Sequence, residues 1–141
     1  MNDNFDPNSS HVIPGLISRF QKAIDNDEKT FSIWGTGKPR REFLYVDDMA
    51  SACIHVMSME NPPDWLNVGT GTDIEIGELA KLIGKLMGFK GELVFDLSKP
   101  DGTMVKRLDI SRLSETGWAP KVDFEEGLRK TIEFYRKEKH K

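Results

Sequence analysis

The chain has 141 residues, of which 38% are hydrophobic and 30% are charged, a composition typical of one soluble globular domain. Its formal net charge of −3 and its lack of a long apolar run argue against nucleic acid and membranes as partners. A single cysteine, Cys53, excludes an internal disulfide framework and, with a polar N-terminus unlike a signal peptide, indicates a cytoplasmic protein. We predict one domain over residues 1–141, with a loop over 1–10 and a charged tail over 136–141.

The first half of the chain alternates helical and extended patterns of apolar residues. Pro14 fits the first turn of a helix, where its missing N–H costs nothing. Asp47 and Asp48 suit the positive end of a helix dipole. In chain order this half predicts a helix over 12–24, a strand over Thr30–Trp34, a turn over 35–39, an extended segment over Arg40–Val46 and a helix over 48–57.

The second half continues the alternation. Gly88 marks a helix end, Asp109 a short helix start, and Asp123 with Glu126 a capping box for the last helix. The predicted order is a strand over Trp65–Val68, a helix over 76–86, a strand over Glu92–Phe95, a polar loop over 96–106, a short helix ending near Leu113 and a final helix with Tyr135 inward. The whole pattern predicts an α/β, α+β-like fold with a small mixed sheet and about five helices.

Several kinds of site have no support in the sequence. The three histidines do not cluster with cysteine at metal-ligand spacing, so we expect no metal site. The Gly-Thr-Gly segments at 35–37 and 69–71 do not complete a phosphate-binding fingerprint, and we interpret both as turns. Tyr135 and Lys139 have the Y-x-x-x-K spacing of reductase catalysis, but packing on the last helix is the better interpretation. We therefore expect no cofactor site in this chain.

Six dispersed residues are candidates for a ligand site. Cations bind phosphate oxygens, an indole offers a stacking face, and an imidazole can move protons, so together these residue types suit a planar base carrying a diphosphate. These residue types also have structural explanations: a histidine that caps the helix starting at Pro14, a solvated helix arginine, a core tryptophan, an arginine paired with Glu42 or Asp47, or an aspartate that starts a turn. The candidates are His11, Arg19, Trp34, Arg41, Asp101 and Lys106.

Longer motifs resemble one family. Ser-His-Val-Ile-Pro at 10–14, Trp-Gly-Thr-Gly-Lys-Pro-Arg-Arg-Glu-Phe-Leu at 34–44, Asn-Val-Gly-Thr-Gly at 67–71 and Lys-Pro-Asp-Gly-Thr at 99–103 are similar to segments of GDP-L-fucose synthases, which are extended short-chain dehydrogenase/reductases. The resemblance covers essentially the whole chain but only the C-terminal, substrate-binding portion of that family. The Rossmann half, with its glycine fingerprint and serine–tyrosine–lysine set, has no counterpart here.

The resemblance implies a function. The family converts GDP-4-keto-6-deoxy-D-mannose to GDP-L-fucose by epimerisation at C3 and C5 and reduction at C4 with NADPH. By this resemblance His11 is the catalytic acid/base, and Arg19, Trp34, Arg41, Asp101 and Lys106 bind substrate. The family is generally homodimeric, and NADPH binds the half that this chain lacks, so we expect the chain alone to be inactive.

Two alternatives remain open. The chain could be the C-terminal domain of another NAD-dependent nucleotide-sugar epimerase or dehydratase, or a stand-alone nucleotide-binding module without chemistry. We further expect apolar residues over 48–57 and 65–68 to be exposed and to promote self-association or mobility. Cys53, which does not match the family's catalytic cysteine, is expected to pack in the core.

Overall fold

The computed structural model describes residues 3–6 and 9–139. Within these residues the chain forms five helices and five strands. The helices are α1 (Val12–Asp25), α2 (Val46–Met57), α3 (Ile76–Met87), α4 (Ser111–Glu115) and α5 (Phe124–Lys139). The strands are β1 (Thr30–Trp34), β2 (Arg40–Arg41), β3 (Ile74–Glu75), β4 (Glu92–Asp96) and β5 (Val105–Lys106).

The main core lies between helices α1, α3 and α5 and a two-stranded parallel sheet. Strands β1 and β4 pair over their whole length, from Thr30 opposite Glu92 to Trp34 opposite Asp96. The alternation of β1 buries Phe31 and Ile33, and the Phe31 ring stacks on Phe20 of α1 at 3.7 Å between centroids. Burying each such side chain contributes about 1.5–3 kcal/mol. The buried members are Leu16, Ile17, Phe20, Ala23, Phe31, Ile33, Leu79, Ala80, Ile83, Met87, Leu128 and Ile132.

A second sheet holds three very short strands in the order β3-β2-β5. β2 pairs antiparallel with β3 and parallel with β5. In the parallel pair Arg40 lies opposite Val105, and Arg41 lies opposite Lys106. Two N–H donors, those of Arg40 to Met104 O at 2.7 Å and of Glu42 to Lys106 O at 3.3 Å, join the two segments.

Helix α2 packs on a smaller core with one face and leaves the other open. Its inner face contributes Ala52, which is packed with Leu113 and Trp118. The prediction that Cys53 packs in the core is wrong, because Cys53 is exposed. One residue step on a helix turns the side chain by about 100°, so Cys53 faces away from the core that Ala52 enters. The outer face is an exposed stripe of Val46, Met49, Ala50, Cys53, Ile54 and Met57.

The helix ends follow the predicted signals in part. Gly88 ends α3 with a left-handed φ of 84°. Asp123 accepts hydrogen bonds from the N–H groups of Glu125 and Glu126, but the Glu126 carboxylate pairs with Lys130 at 2.7 Å and does not complete a capping box. Asp109 accepts from the Ser111 N–H at 2.9 Å, one residue outside the cap of α4.

The predicted charged tail is, over residues 136–139, the last turn of α5 and is tied to the core. Arg136 donates to Met87 O at 3.0 Å, and Lys139 pairs with Asp25 at 2.5 Å. Tyr135 packs against Phe5 with 4.8 Å between ring centroids, in agreement with the packing interpretation of the Y-x-x-x-K spacing. Residues 1, 2, 7 and 8 of the predicted loop, and 140 and 141 of the tail, lie outside the described residues.

The predicted fold class is confirmed, with a small mixed arrangement of strands and five helices in the described ranges. Two extended segments differ from expectation. Residues 65–68 form no strand, and Asn67 instead donates from its side chain to Asp109 O at 3.0 Å. Of Arg40–Val46 only Arg40–Arg41 is a strand, because the partners β3 and β5 are each two residues long and α2 already begins at Val46.

Candidate functional site

A large open cleft runs between the β2–β5 pair, the start of α1 and the start of α5. Its volume is about 1260 Å³. Three of the six predicted site residues, His11, Arg41 and Lys106, lie in its walls. Aromatic side chains of Phe43, Tyr45, Phe124 and Phe134 line another part of it. The structure thus joins one imidazole and two cations, from segments up to 95 residues apart in sequence, in one cavity.

Arg41 and Lys106 are neighbours because of the sheet register. They are direct partners in the parallel β2–β5 pair, so their side chains leave the same face of strands that run about 4.8 Å apart. The Arg41 guanidinium donates to Arg40 O at 2.7 Å and to Thr103 O at 2.6 Å, which are both neutral acceptors. Across residues 3–6 and 9–139 neither cation forms an ion pair, so the alternative pairing of Arg41 with Glu42 or Asp47 is not formed.

The neighbouring Arg40 is, by contrast, neutralised. Its Nε donates to Asp73 at 2.5 Å, and its Nη1 lies 3.2 Å from Glu75. The hydrogen bond to Asp73 is the main reason why the pKa of Arg40 is raised above its ordinary value. Of the two adjacent arginines, therefore, only Arg41 keeps a charge that an external anion could neutralise.

Glu42 provides the framework of the cleft wall at this point. Its Oε1 accepts hydrogen bonds from the N–H groups of Thr70 at 2.5 Å and Gly71 at 2.7 Å, and its Oε2 accepts one from the Leu108 N–H at 2.7 Å. The oxygens of this carboxylate are therefore occupied by backbone donors of the fold, and they form no ion pair with Arg41, the cation beside it in the chain.

His11 stands at the start of α1 with its side chain exposed. Its backbone carbonyl accepts the Gly15 N–H at 2.9 Å, but its imidazole makes no capping hydrogen bond. The structural alternative for His11, side-chain capping of the helix, is therefore not realised. The imidazole is placed at the cleft with its nitrogens unused by the helix, as an acid/base group requires.

The other three predicted residues do not line the cleft. Trp34 ends β1 with 67% of its surface exposed, and the Lys99 ammonium lies 5.9 Å from the ring centroid. It is therefore not the core aromatic of the structural alternative, and most of its surface is accessible. Asp101 accepts hydrogen bonds from the Thr36 N–H at 2.8 Å and the Thr36 hydroxyl at 2.7 Å, and these bonds lower the pKa of Asp101.

Arg19 is turned toward the main core. Its guanidinium lies 4.7 Å from the Phe31 ring centroid and donates to Ser32 O. Burial lowers the pKa of Arg19. The structure does not bring Arg19 to the cleft wall. Asp101 lies two residues before Thr103 in the chain, and the Thr103 carbonyl accepts a hydrogen bond from Arg41 in the wall.

The glycine turns do not fit a dinucleotide phosphate. A Cβ on Gly35 would lie 2.2 Å from Asp101 Oδ1, and one on Gly37 would lie 2.4 Å from Phe95 Cε1. A Cβ on Gly69 would lie 2.3 Å from Glu42 Oε1. Each close approach is filled by this chain's own side chains, so these turns offer no open cradle for a pyrophosphate. These three turns therefore do not fit the phosphates of NADPH.

Two acidic residues matter more than their sequence pattern indicates. Asp48 is 4% exposed and accepts hydrogen bonds from the N–H groups of Lys121 and Val122 at 3.1 and 3.0 Å, which joins α2 to the approach of α5. Glu42 holds the cleft wall in a similar way. For Glu42 the available signal is a carboxylate inside an aromatic, extended stretch, where a solvated charge is not expected. Asp48 lies in the first turn of α2, where its sequence signal indicates only a helix start.

Two further properties bear on the kind of site. No helix within residues 3–6 and 9–139 has both the length and the apolar character to cross a membrane. In the same part of the chain no three or more histidine, cysteine or carboxylate side chains cluster as a metal site would require.

Several relatives of the chain are named GDP-L-fucose synthase. Over 142 residues it is 49% identical to GDP-L-fucose synthase of Escherichia coli (strain K12), which covers 94% of this chain and 44% of that protein. It is 45% identical over 136 residues to GDP-L-fucose synthase 1 of Arabidopsis thaliana, which covers 96% of this chain and 42% of that protein. The chain is homologous to the GDP-L-fucose synthases.

The family match extends to sequence models and solved structures. The NAD dependent epimerase/dehydratase family matches residues 2–69. The crystal structure of a GDP-L-fucose synthetase from Naegleria fowleri bound to NADP superimposes with a TM-score of 0.85 at 31% identity, over 98% of this chain and 44% of that one. The resemblance seen in the sequence motifs is confirmed. Because the chain spans less than half the length of these GDP-L-fucose synthases, the activity of the whole enzyme is considered below as a proposal.

Proposed function

We propose that this chain is the GDP-sugar-binding portion of a GDP-L-fucose synthase, which converts GDP-4-keto-6-deoxy-D-mannose to GDP-L-fucose. The observation that carries the proposal is the pairing of Arg41 with Lys106 in one cleft with His11. Two adjacent cations without carboxylate partners in the described chain suit a diphosphate, which carries charge on neighbouring groups. Sequence identity of 45–49% to enzymes of that name supports the choice of nucleotide.

The remaining residues have proposed roles around this anchor. Trp34 offers its exposed ring to a planar base, and Asp101 faces the same turn and holds it through Thr36. Arg19 keeps its place in the proposed substrate set through the family motif alone, since its guanidinium here binds Ser32 O. Lys106 is proposed to supply a mobile point charge. Arg41 is oriented by two carbonyl oxygens, so its remaining N–H donors can point in a fixed direction toward the diphosphate.

His11 is proposed as the acid/base group for epimerisation. The C4 ketone of the substrate acidifies the C–H bonds at C3 and C5, so a base that removes a proton and an acid that returns it to the other face invert each carbon. Histidine suits both steps because its ordinary pKa lies near neutrality. NADPH supplies the hydride for the reduction at C4 when it is bound to the other half of the enzyme. The protein is proposed to be cytoplasmic, and homodimeric as a whole enzyme.

Calorimetry with GDP and UDP tests the binding part of the proposal. We expect GDP to bind more tightly than UDP. Arg41→Ala and Lys106→Ala should each weaken GDP binding about 10-fold to 100-fold, because each removes a charge-assisted contact to phosphate. Lys85→Ala is the matched control, since Lys85 is an exposed lysine on α3, outside the cleft.

Equal affinity for GDP and UDP would favour the alternative of another nucleotide-sugar epimerase or dehydratase. Equal losses from Lys85→Ala and Lys106→Ala would show only nonspecific charge attraction and would contradict the proposed site. Binding of GDP without any chemistry in the whole enzyme would leave the stand-alone binding module as the better description.

A second measurement addresses His11. In an enzyme that contains both halves, His11→Gln should lower exchange of the C3 and C5 hydrogens with deuterated solvent by about 10²- to 10⁴-fold, the usual contribution of an acid/base group. GDP affinity should stay within about twofold, because the imidazole acts on the sugar and not on the diphosphate. This chain alone should oxidise no NADPH, and formation of GDP-L-fucose by it would contradict that expectation.

A further inference from the structure

Glu42 joins three separate segments at the point where the two cations meet. Its carboxylate accepts N–H groups from Thr70 and Gly71 with one oxygen and from Leu108 with the other. Leu108 follows β5 by two residues, and Glu42 itself follows β2 directly. The side chain therefore clamps the end of β2 to the chain leaving β5 and to the turn at 69–71.

The turn at 69–71 is built to receive this carboxylate. A Cβ at position 69 would lie 2.3 Å from Glu42 Oε1 and 3.0 Å from its carboxyl carbon, so any side chain there would displace the carboxylate from this position. With this approach open, the N–H groups of Thr70 and Gly71 both reach the same oxygen. The absence of a side chain at Gly69 therefore leaves space for the Glu42 carboxylate to approach the backbone of this turn.

The β2–β5 pair itself is weakly held. It contains only two residues of each strand, and its cross-strand donors are the N–H groups of Arg40 and Glu42. The second of these bonds, to Lys106 O, is long at 3.3 Å. A pair this short has little intrinsic preference for one register, so an additional contact is needed to hold it.

We propose that Glu42 is a positioning residue that fixes the β2–β5 register and so holds Arg41 and Lys106 side by side toward the diphosphate. This inference rests on the proposed GDP-sugar function for its ligand. Glu42 acts through its neighbours, since its own oxygens are occupied by backbone donors and a carboxylate would repel phosphate.

A purely electrostatic role and a positioning role of Glu42 predict opposite changes in GDP affinity when its charge is removed. Removing a negative charge close to an anion site should strengthen binding of the anion by simple electrostatics. Loss of positioning should weaken it, because the two cations no longer converge. In Glu42→Gln the amide oxygen can still accept from Thr70 and Gly71, but the amide NH₂ group faces the Leu108 N–H, and two donors cannot bond each other.

The test combines calorimetry with amide hydrogen exchange on the wild type, Glu42→Gln and Gly69→Ala. We expect both variants to bind GDP about tenfold more weakly and to lose protection at the amides of residue 42 and Leu108. Glu75→Gln is the matched control, because it removes the same charge from the same sheet without touching those amides. Gly69→Ala displaces the carboxylate with no change in charge, so the two variants together separate position from electrostatics.

Unchanged or tighter GDP binding by Glu42→Gln, with a melting temperature like that of wild type, would overturn the proposal. Unchanged protection at residue 42 in both variants would also overturn it, because the register would then be independent of the carboxylate. If the wild-type chain bound no GDP, the proposed function would fail. The exchange data would still decide whether Glu42 sets the register, since that measurement requires no ligand.

Discussion

Several carboxylates in this chain accept hydrogen bonds from backbone N–H groups of distant segments. Glu42, Asp48 and Asp101 each accept at least one backbone N–H from a segment at least 28 residues away in sequence. Hydrogen bonds of an ionised acceptor are stronger than those of a neutral one, so single residues can hold loops that have little other secondary structure. Asp101, chosen from the sequence as a substrate ligand, is seen here to secure the 35–37 turn that follows Trp34.

The attachment of Asp101 should depend on pH. Hydrogen bonds from Thr36 lower the pKa of Asp101, so the stabilisation is fully present above the unfolded pKa of about 4 and is lost as pH falls through the lower folded pKa. We expect Asp101→Asn at neutral pH to raise amide exchange at Thr36, because an amide supplies only one acceptor oxygen. Asp123→Asn, at the distant start of α5, is the control, and equal exchange at Thr36 in all three proteins would contradict the expectation.

At the scale of elements, long periodic segments were predictable and short ones were not. Helices α1 and α3 and strand β1 follow directly from apolar spacing, because each buries one face against a common core. Strand β4 pairs with β1 along its whole length but contributes only the half-buried Leu93 to that core. Strands β3 and β5 have two residues each and no periodicity. Their pairing depends on contacts such as Glu42 to Leu108, which join residues 66 positions apart and which no local pattern reveals.

The same distinction applies to the candidate site. The sequence motifs identify His11, Arg41 and Lys106, and the fold brings them to one cleft. Glu42 was not identified, because next to Arg41 it resembles an ordinary surface ion pair. Only the folded structure shows that its carboxylate binds three backbone N–H groups instead.

Gly37, in the turn between β1 and β2, should be more costly to replace by alanine than Gly88 at the end of α3. Gly37 has φ of 72°, and a Cβ there would lie 2.4 Å from the Phe95 ring and 3.2 Å from the Gly77 backbone. Gly88 has φ of 84°, but nothing lies within 4 Å of its Cβ position. Gly88→Ala should cost about 1–2 kcal/mol of unfolding free energy from backbone strain alone. Gly37→Ala should cost about 1–3 kcal/mol more because of overpacking, and equal denaturant midpoints and slopes would refute this.

At the scale of the whole molecule, one surface is apolar without a covering partner in the described chain. The exposed stripe of α2 includes Ile54 and Met57, whose exposed fractions are 64% and 76%, and Trp65 nearby is 62% exposed. A helix with apolar residues on both faces is usually buried on both. The chain also spans only 42–44% of the length of the relatives described above.

In isolation, this face is expected to bind a second copy of the chain. Ile54→Glu together with Met57→Glu should shift the protein toward monomer in sedimentation at tens of micromolar, since contiguous exposed apolar patches drive association. Leu97→Glu serves as the control, because Leu97 is a comparably exposed apolar residue in a loop, with 73% of its surface accessible. A wild-type chain that stays monomeric over this range would contradict the prediction.

The register that places Arg41 opposite Lys106 also affects how the molecule behaves when no ligand is present. Like charges directly across a strand pair repel, so the second sheet is weakest when its cleft is vacant. Any anion that settles there removes this repulsion and stabilises the fold by mass action. Phosphate or sulfate buffers should therefore raise the melting temperature and compete with nucleotide, so weak affinities measured in such buffers would understate the strength of the site.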